Sequence, residues 1–424
     1  MTDPAPGSGG GGGWRRAGRA LATRNYRIYT TGNAVSLIGT WVQRIAVGWL
    51  AWRLTRSGAW LGLVSFADLF PTVLLSPLAG AIADRRDRLA VIRLTQVTAM
   101  AQAVLLALLT ALGWITIEML FVLTALLGAA NAINQPARLA TIPSLVDRAD
   151  LPAAVAINSL IFNGARFVGP AVAGALIAAG SVELAFAVNA ASYGAFLVAL
   201  WRLDLREDRP PPAAGSRRML GAVADGYLYA VRHEGIGAML LMMAVTSLCT
   251  RGFVELLPGF ADAVFGRGAD GLAILTATVG LGAVVGGLWM ARRAELAGLT
   301  RLVVAAVLLT SAALVAFAAT DRFALALPCL FAAGFGMIVT GVAAQTLVQA
   351  TVDAAMRGRI MALYGMIFRG GPALGALVMG TASDSTGLRA PVAAGAVLCT
   401  GFWIWAKLRE KRIAAALEHE PDPA

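Results

Sequence analysis

The chain has 424 residues, 58% hydrophobic and only 14% charged, with a mean hydropathy of +0.71 and a formal charge of +11. Soluble domains carry roughly 25% charged residues, so a soluble fold is excluded. At about 20 residues per crossing the length accommodates roughly a dozen membrane spans and no large domain besides.

The glycine-rich run from Gly7 to Gly13 is followed by Trp14, Arg15 and Arg16, not by Lys and a hydroxyl residue. It reads as a flexible tail instead of a phosphate loop, so ATP hydrolysis by this chain is not expected. The apolar segment behind it is too long, and has too many successors, for a cleaved signal peptide. Twelve apolar runs of spanning length follow, at about 29–52, 59–82, 89–112, 117–136, 153–179, 184–203, 237–260, 271–291, 302–320, 323–343, 356–380 and 388–407. The longest polar interval carries Arg206-Glu207-Asp208-Arg209 and three prolines from Pro210. It divides the chain into a flexible basic head (1–28), a first half of six spans (29–203), a linker (204–236), a second half (237–407) and a tail (408–424). Residues 218–232 have the spacing of a helix lying along a membrane surface. The fold expected is an all-α membrane protein of twelve helices in two halves.

Charge placement orients the chain. With a cytoplasmic N-terminus, twenty-six of the 35 Lys and Arg residues fall on the cytoplasmic side, and five, Arg53, Arg56, Arg267, Arg322 and Arg389, on the other. The positive-inside rule then puts both termini in the cytoplasm; a cell inner membrane is the location expected, with the bilayer as the surroundings. A nucleic-acid surface has no reason to follow loop parity, so no nucleic-acid partner is expected.

Four arginines remain, Arg44, Arg166, Arg251 and Arg369, all inside spans. A central intramembrane Arg costs at least about 2.5–3.5 kcal/mol and usually faces a bundle interior or aqueous cavity. Arg44 and Arg251 are 207 residues apart, Arg166 and Arg369 are 203 apart, as two parallel six-helix repeats around a central path require. Three polar stripes at helical spacing accompany them: Asn33, Ser36, Thr40 and Gln43 beside Arg44 in span 1; Thr124, Gly128, Asn131 and Gln135 in span 4; Ser159, Asn163, Arg166 and Pro170 in span 5. Each stripe alone fits interhelical packing equally well. Together they favour a substrate cavity lined by Asn33, Thr40, Gln43, Arg44, Asn131, Asn163, Arg166, Arg251 and Arg369.

Two carboxylates sit well inside spans, Asp68 and Glu255. Arg251 and Glu255, four apart, can pair on one helix; Arg44 and Asp68 lie at similar depth and can pair across adjacent helices. Neutralisation of buried charge accounts for both acids. The functional reading is that either Asp68 or Glu255 takes up the coupling proton. His233 and His419 lie outside the spans, so no histidine relay is available, and the three cysteines sit in apolar runs as packing residues. No metal site or cofactor is expected.

Between spans 2 and 3 stands Gly80-Ala-Ile-Ala-Asp84-Arg85-Arg86-Asp87-Arg88, which resembles the G-x-x-x-D-R-x-G-R loop of the major facilitator superfamily, with Asp87 where the pattern has Gly. Gly80, Asp84, Arg85 and Arg88 would then form a cytoplasmic gate. The corresponding second-half loop has Ala291 in place of the Asp. Span 5 carries Gly164-Ala-Arg166-Phe-Val-Gly169-Pro170-Ala-Val-Ala173-Gly174, similar to the G-P-x-x-G-G element of exporting members, and span 11 repeats it as Arg369-Gly370-Gly371-Pro372. Gly169, Pro170, Gly174, Gly371 and Pro372 read as kinked, closely packed pivots. The stretch from Pro136 to Ser159, with Arg357-Gly358-Arg359, resembles the drug:proton antiporter family 3, enterobactin exporter-like branch. The resemblance implies an alternating-access secondary transporter, acting as a monomer and driven by a proton gradient. It would export a small amphipathic molecule such as a drug, siderophore or other secondary metabolite. Four interior arginines against two acids favour an anionic or phenolate group on the substrate. An importer or symporter on the same fold, and a lipid flippase or scramblase, stand as alternatives; no catalytic constellation suggests an enzyme.

Overall fold

The computed structural model describes residues 11–179, 181–204, 219–293 and 295–418, without the side chains of 11–16, 76–78, 80–85, 167, 178 and 219–224. The linker from 205 to 218, the end of the tail with His419, and the start of the glycine-rich head lie outside the described residues.

Among the described residues all regular structure is helical. A short α1 (Gly11–Ala22) precedes six long helices: α2 (Arg24–Thr55), α3 (Gly58–Arg85), α4 (Arg88–Ala111), α5 (Ile117–Thr141), α6 (Leu151–Ala178) and α7 (Val182–Trp201). After α8 (Met219–Arg232) come α9 (Glu234–Cys249), the one-turn α10 (Leu257–Gly259), α11 (Gly268–Ala291), α12 (Leu299–Ala319), α13 (Phe323–Thr351), α14 (Arg357–Thr386) and α15 (Arg389–Leu417). Twelve stretches are long and apolar enough to cross a membrane, one for each expected run. Leucines on the outer faces, such as Leu94 and Leu160, stay exposed, as lipid-facing positions must. Polar side chains fix several starts: Thr116 accepts from the Met119 N–H at 3.3 Å, and Ser181 from the Leu184 N–H at 3.1 Å. Asp87, at the position where the loop motif has Gly, caps α4 by accepting from the Leu89 N–H at 2.9 Å. The stretch expected to be amphipathic forms α8, pinned to the segment before α14 by Tyr229 donating to Asp353 at 2.9 Å and to α14 itself by an Asp225–Arg359 ion pair at 3.2 Å.

The seventh span is not one regular helix. Beyond α9 the chain passes through a 3₁₀ segment, Arg251–Leu256, then α10, then a π turn, Phe260–Val264. Pro258 lacks an N–H for the helical ladder. Gly252 lies against the backbone of Gly375 and Ala376, and Gly375 against the Leu248 carbonyl, so the broken segment crosses α14 with no room for side chains.

The apolar residues divide into unequal cores. One large cluster joins the two halves, with Val47, Trp49, Leu120 and Phe186 of the first beside Phe253, Phe260, Leu272 and Phe317 of the second. Toward the end bearing the basic loops there are two separate clusters, around Tyr26, Tyr29 and Ile92 in the first half, and around Met239, Val348 and Ile360 in the second. The polar ties between halves follow the same division. At the end opposite the basic loops, Asp384 of α14 accepts from Ser57 Oγ at 2.7 Å and from the N–H groups of Gly58 and Ala59, capping α3 from the other half. Asp262 accepts from Trp52 Nε1 at 2.9 Å and pairs with Arg56. Every hydrogen bond between the halves among the described residues lies at that end or at mid-depth, and the apolar cores toward the basic loops are separate, so among the described residues the bundle is closed at the first end and parted toward the second.

The closed end depends on backbone contact between α3 and α14, where Gly62 sits on the Ala376 carbonyl and Gly380 on the Gly58 carbonyl. Gly62→Val is expected to destabilise the folded protein by about 1–3 kcal/mol, read as a lower unfolding midpoint in detergent. Gly164→Ala, with open space around it, should change little; equal midpoints for the two variants would contradict the close approach.

Candidate functional site

At mid-depth three charged groups from three helices meet. Arg44 on α2 extends Nη1 to Asp68 Oδ2 of α3 at 3.4 Å and Nη2 to Glu255 Oε1 at 2.6 Å. The second carboxylate oxygen of Glu255 accepts from Ser65 Oγ of α3 at 3.2 Å. Asp68 belongs to the same half as Arg44, whereas Glu255 comes from the 3₁₀ segment of the other half, so this ion pair ties the halves across the membrane interior. The three side chains keep between 18% and 28% exposure, which marks the floor of a wetted cavity.

The cavity above that floor has two overlapping lobes. Among the residues they share are Trp41, Arg44, Gln135, Phe162, Glu255 and Arg369. The first lobe continues along the first half past Thr40, Gln96, Thr124, Asn131, Asn134, Arg138 and Tyr193, a wall rich in neutral hydrogen-bonding groups. The second continues past Arg166, Arg251, Thr276, Met337, Phe368 and Pro372. All four arginines singled out by their apolar context therefore converge on one space. The Trp41 ring is flanked by Arg44 at 5.4 Å and Arg166 at 5.6 Å, and the Arg251 guanidinium stacks on Phe368 at 4.1 Å. No described carboxylate lies within salt-bridge distance of Arg166, Arg251 or Arg369, because both interior acids are engaged by Arg44.

Several expected roles are corrected. Arg251 and Glu255 do not pair. Four residues at about 3.0 per turn are about 120° apart, not on one face, so Glu255 turns to the first half and Arg251 to Phe368. Asn163 is exposed and donates to the Ser159 carbonyl of its own helix at 2.8 Å, outside both lobes. Asn33 is buried and donates to Asn158 Oδ1 at 3.3 Å, an interhelical tie instead of a cavity wall. Gln43 touches the cavity but is chiefly a packing residue, donating to Gln102 Oε1 at 2.9 Å and accepting from Asn189 Nδ2 at 2.7 Å. Thr40 shares a 3.2 Å hydrogen bond with the Tyr193 hydroxyl at the cavity edge.

Arg138 is a cavity residue that the apparent end of the fourth apolar run at 136 hides. It continues the span 4 stripe at the next helical step after Gln135, and it lines the first lobe with its guanidinium 4.6 Å over the Phe196 ring. Of the gate motif, Arg88 donates to the Ala140 carbonyl at 3.0 Å; the side chains of Asp84 and Arg85 and the surroundings of Gly80 lie outside what is described. Gly169 packs on Trp41, Gly174 on Ala273 of the other half, and Gly371 on Ser247, while Pro170 and Pro372 stand inside α6 and α14.

Residues 19–422 match the family described as transmembrane secretion effector. The chain is similar to the staphyloferrin A transporter of Staphylococcus aureus, 24% identical over 363 residues that span 85% of this chain and 90% of that protein. It is also similar to the enterobactin exporter EntS of Escherichia coli, 27% identical over 303 residues, 72% of each. Among solved structures, a bacterial homolog of the human lysosomal transporter Spinster, described as inward-facing and unoccupied, superposes with a TM-score of 0.73 at 15% identity, covering 96% of this chain and 99% of that one.

The Arg44–Glu255 contact predicts energetic coupling between halves. A double-mutant cycle over Arg44→Ala and Glu255→Ala, read from unfolding in detergent, is expected to return about 0.5–3 kcal/mol of interaction. Additive effects would contradict the pairing.

Proposed function

The chain belongs to the transmembrane secretion effector family of the major facilitator superfamily, a multi-pass membrane transporter and not an enzyme, and on that premise we propose that it exports a small amphipathic anion in exchange for protons. Siderophores are the first class to test, since two relatives carry the names staphyloferrin A transporter and enterobactin exporter. The observation that carries the reading is the set of three guanidiniums, Arg166, Arg251 and Arg369, facing one cavity with no described carboxylate to neutralise them. A planar guanidinium binds carboxylate or phenolate oxygens with two parallel donors. Trp41, Phe162 and Phe368 supply apolar surface beside the charges.

The orientation proposed puts the basic loops and both termini in the cytoplasm of the inner membrane, so the parted end of the bundle faces the cytoplasm and the cargo enters from there, with one chain as the working unit. Glu255 is the coupling acid. A proton on Glu255 or an anion competing for Arg44 each dissolves the tie between halves, so the carrier crosses loaded with one or the other. Asp68 stays with Arg44 in either case and keeps its charge compensated. Gly169-Pro170 and Gly371-Pro372 are the pivots, and the end of α3 carrying Asp84 closes the cytoplasmic side. A second reading has its own observation: an anion on Arg44 leaves Glu255 an uncompensated carboxylate, which a proton neutralises in the same step, the sign of symport.

Inside-out vesicles with an acid interior discriminate the two. An antiporting exporter accumulates labelled siderophore as protons leave, whereas a symporter does not. Arg166→Ala is expected to abolish accumulation at unchanged membrane abundance, and retained transport would overturn the anion site. Glu255→Gln is expected to lose proton-driven uptake while Asp68→Asn retains a measurable part; full proton coupling in both variants would overturn the assignment.

A further inference from the structure

Arg138 is not used by the reading above, yet its position is unusual for a residue near the basic end of a span. Its Nε and Nη2 atoms are buried without a hydrogen-bond partner, and one face of the guanidinium is covered by Phe196. An unpaired buried guanidinium is costly unless a partner arrives. The amide side chains of Asn131, Asn134 and Gln135 line the same lobe. Asn134 is engaged with Thr95, whereas no protein partner is recorded for the amides of Asn131 and Gln135 among the described hydrogen bonds, so these two can donate to a ligand.

The distribution of charge along the cavity is equally specific. Gly128 of α5 lies against the Asp68 backbone and marks the level of the acids. Arg138 follows ten residues later on the same helix, about 15 Å toward the basic loops at about 1.5 Å per residue. Arg369 lines both lobes, whereas Arg138 lines only the first and Arg251 only the second, so these two guanidiniums belong to the parts of the cavity that the lobes do not share.

Resting on the anion reading, we propose that Arg138 is a second, separate anion subsite. The substrate class is then an elongated dianion with an anionic group at each end and a hydrogen-bonding body between them. One end binds Arg251, the other binds Arg138, and the body lies along Asn131 and Gln135. Joining two anions in one molecule makes the second contact intramolecular, so a ligand that spans both subsites outbinds a single-ended one without any new contact type.

The test uses the full-length purified protein and two probe series of matched length, poly(ethylene glycol)-spaced dicarboxylates and the same molecules with one end blocked as the methyl ester, with affinity read by thermal shift and by calorimetry. The expected result is a dicarboxylate advantage of at least about tenfold, equivalent to about 1.4 kcal/mol, that appears only above a threshold spacer length. Arg138→Gln should bring the ratio of the two affinities to about one, and Arg138→Lys should restore part of it. Arg251→Gln should weaken both series together. A dicarboxylate advantage that survives in Arg138→Gln, or one independent of spacer length, overturns the second subsite. Binding of both series with equal affinity to the unaltered protein overturns it too while leaving the single anion site standing, and binding of neither series overturns both.

Discussion

One guanidinium holds the middle of this molecule. Arg44 reaches a carboxylate of its own half, Asp68, and a carboxylate of the other, Glu255, and only the planar, two-sided donor set of arginine serves both at once. Most of what surrounds the cavity follows from that arrangement. With Asp68 and Glu255 consumed, the remaining interior arginines are left facing open space. With Glu255 coming from a 3₁₀ segment instead of an α-helix, the second half presents an acid to its partner and an arginine to itself. The polar centre is therefore negative in sum and its walls positive, a division that no single pair could produce.

The apolar packing is built to match. A shared core at one end and two independent cores at the other mean that the halves are one body where they touch and two bodies where they part. The carboxylates that fasten the closed end, Asp262 and Asp384, bind donors belonging to the opposite half. Such contacts are specific in geometry and partly exposed to solvent, so each stabilises modestly compared with the burial of aromatic and aliphatic surface beside them. The apolar core decides that the end is closed; the acids decide the register in which it closes.

Much of this was legible in the amino acids, and the failures have definite causes. Twelve spans and four interior arginines stand out because charge is rare in apolar runs, and Arg44, Arg166, Arg251 and Arg369 indeed share one cavity. Asn163 was misplaced because a stripe at helical spacing does not say which way it faces, and its amide is satisfied by its own helix. The pairing of Arg251 with Glu255 assumed regular α geometry through a stretch that is 3₁₀ from Arg251 to Leu256. Arg138 was missed because hydropathy ends a span sooner than the helix does. Asp262 and Asp384 looked like ordinary residues at span ends, since nothing local reveals that their partners lie on the other half of the chain.

The cap that Asp384 places on α3 fixes more than a contact. The first N–H groups of a helix have no partner within it, and in hydrocarbon no substitute exists. While the halves are together, the carboxylate of Asp384 serves the Gly58 and Ala59 N–H groups. Whenever they separate there, water must take its place, so the start of α3 has to stay within reach of the aqueous phase through every position the halves adopt. Asp384 thus sets how deep the protein can sit in the bilayer, a vertical register imposed by two backbone amides.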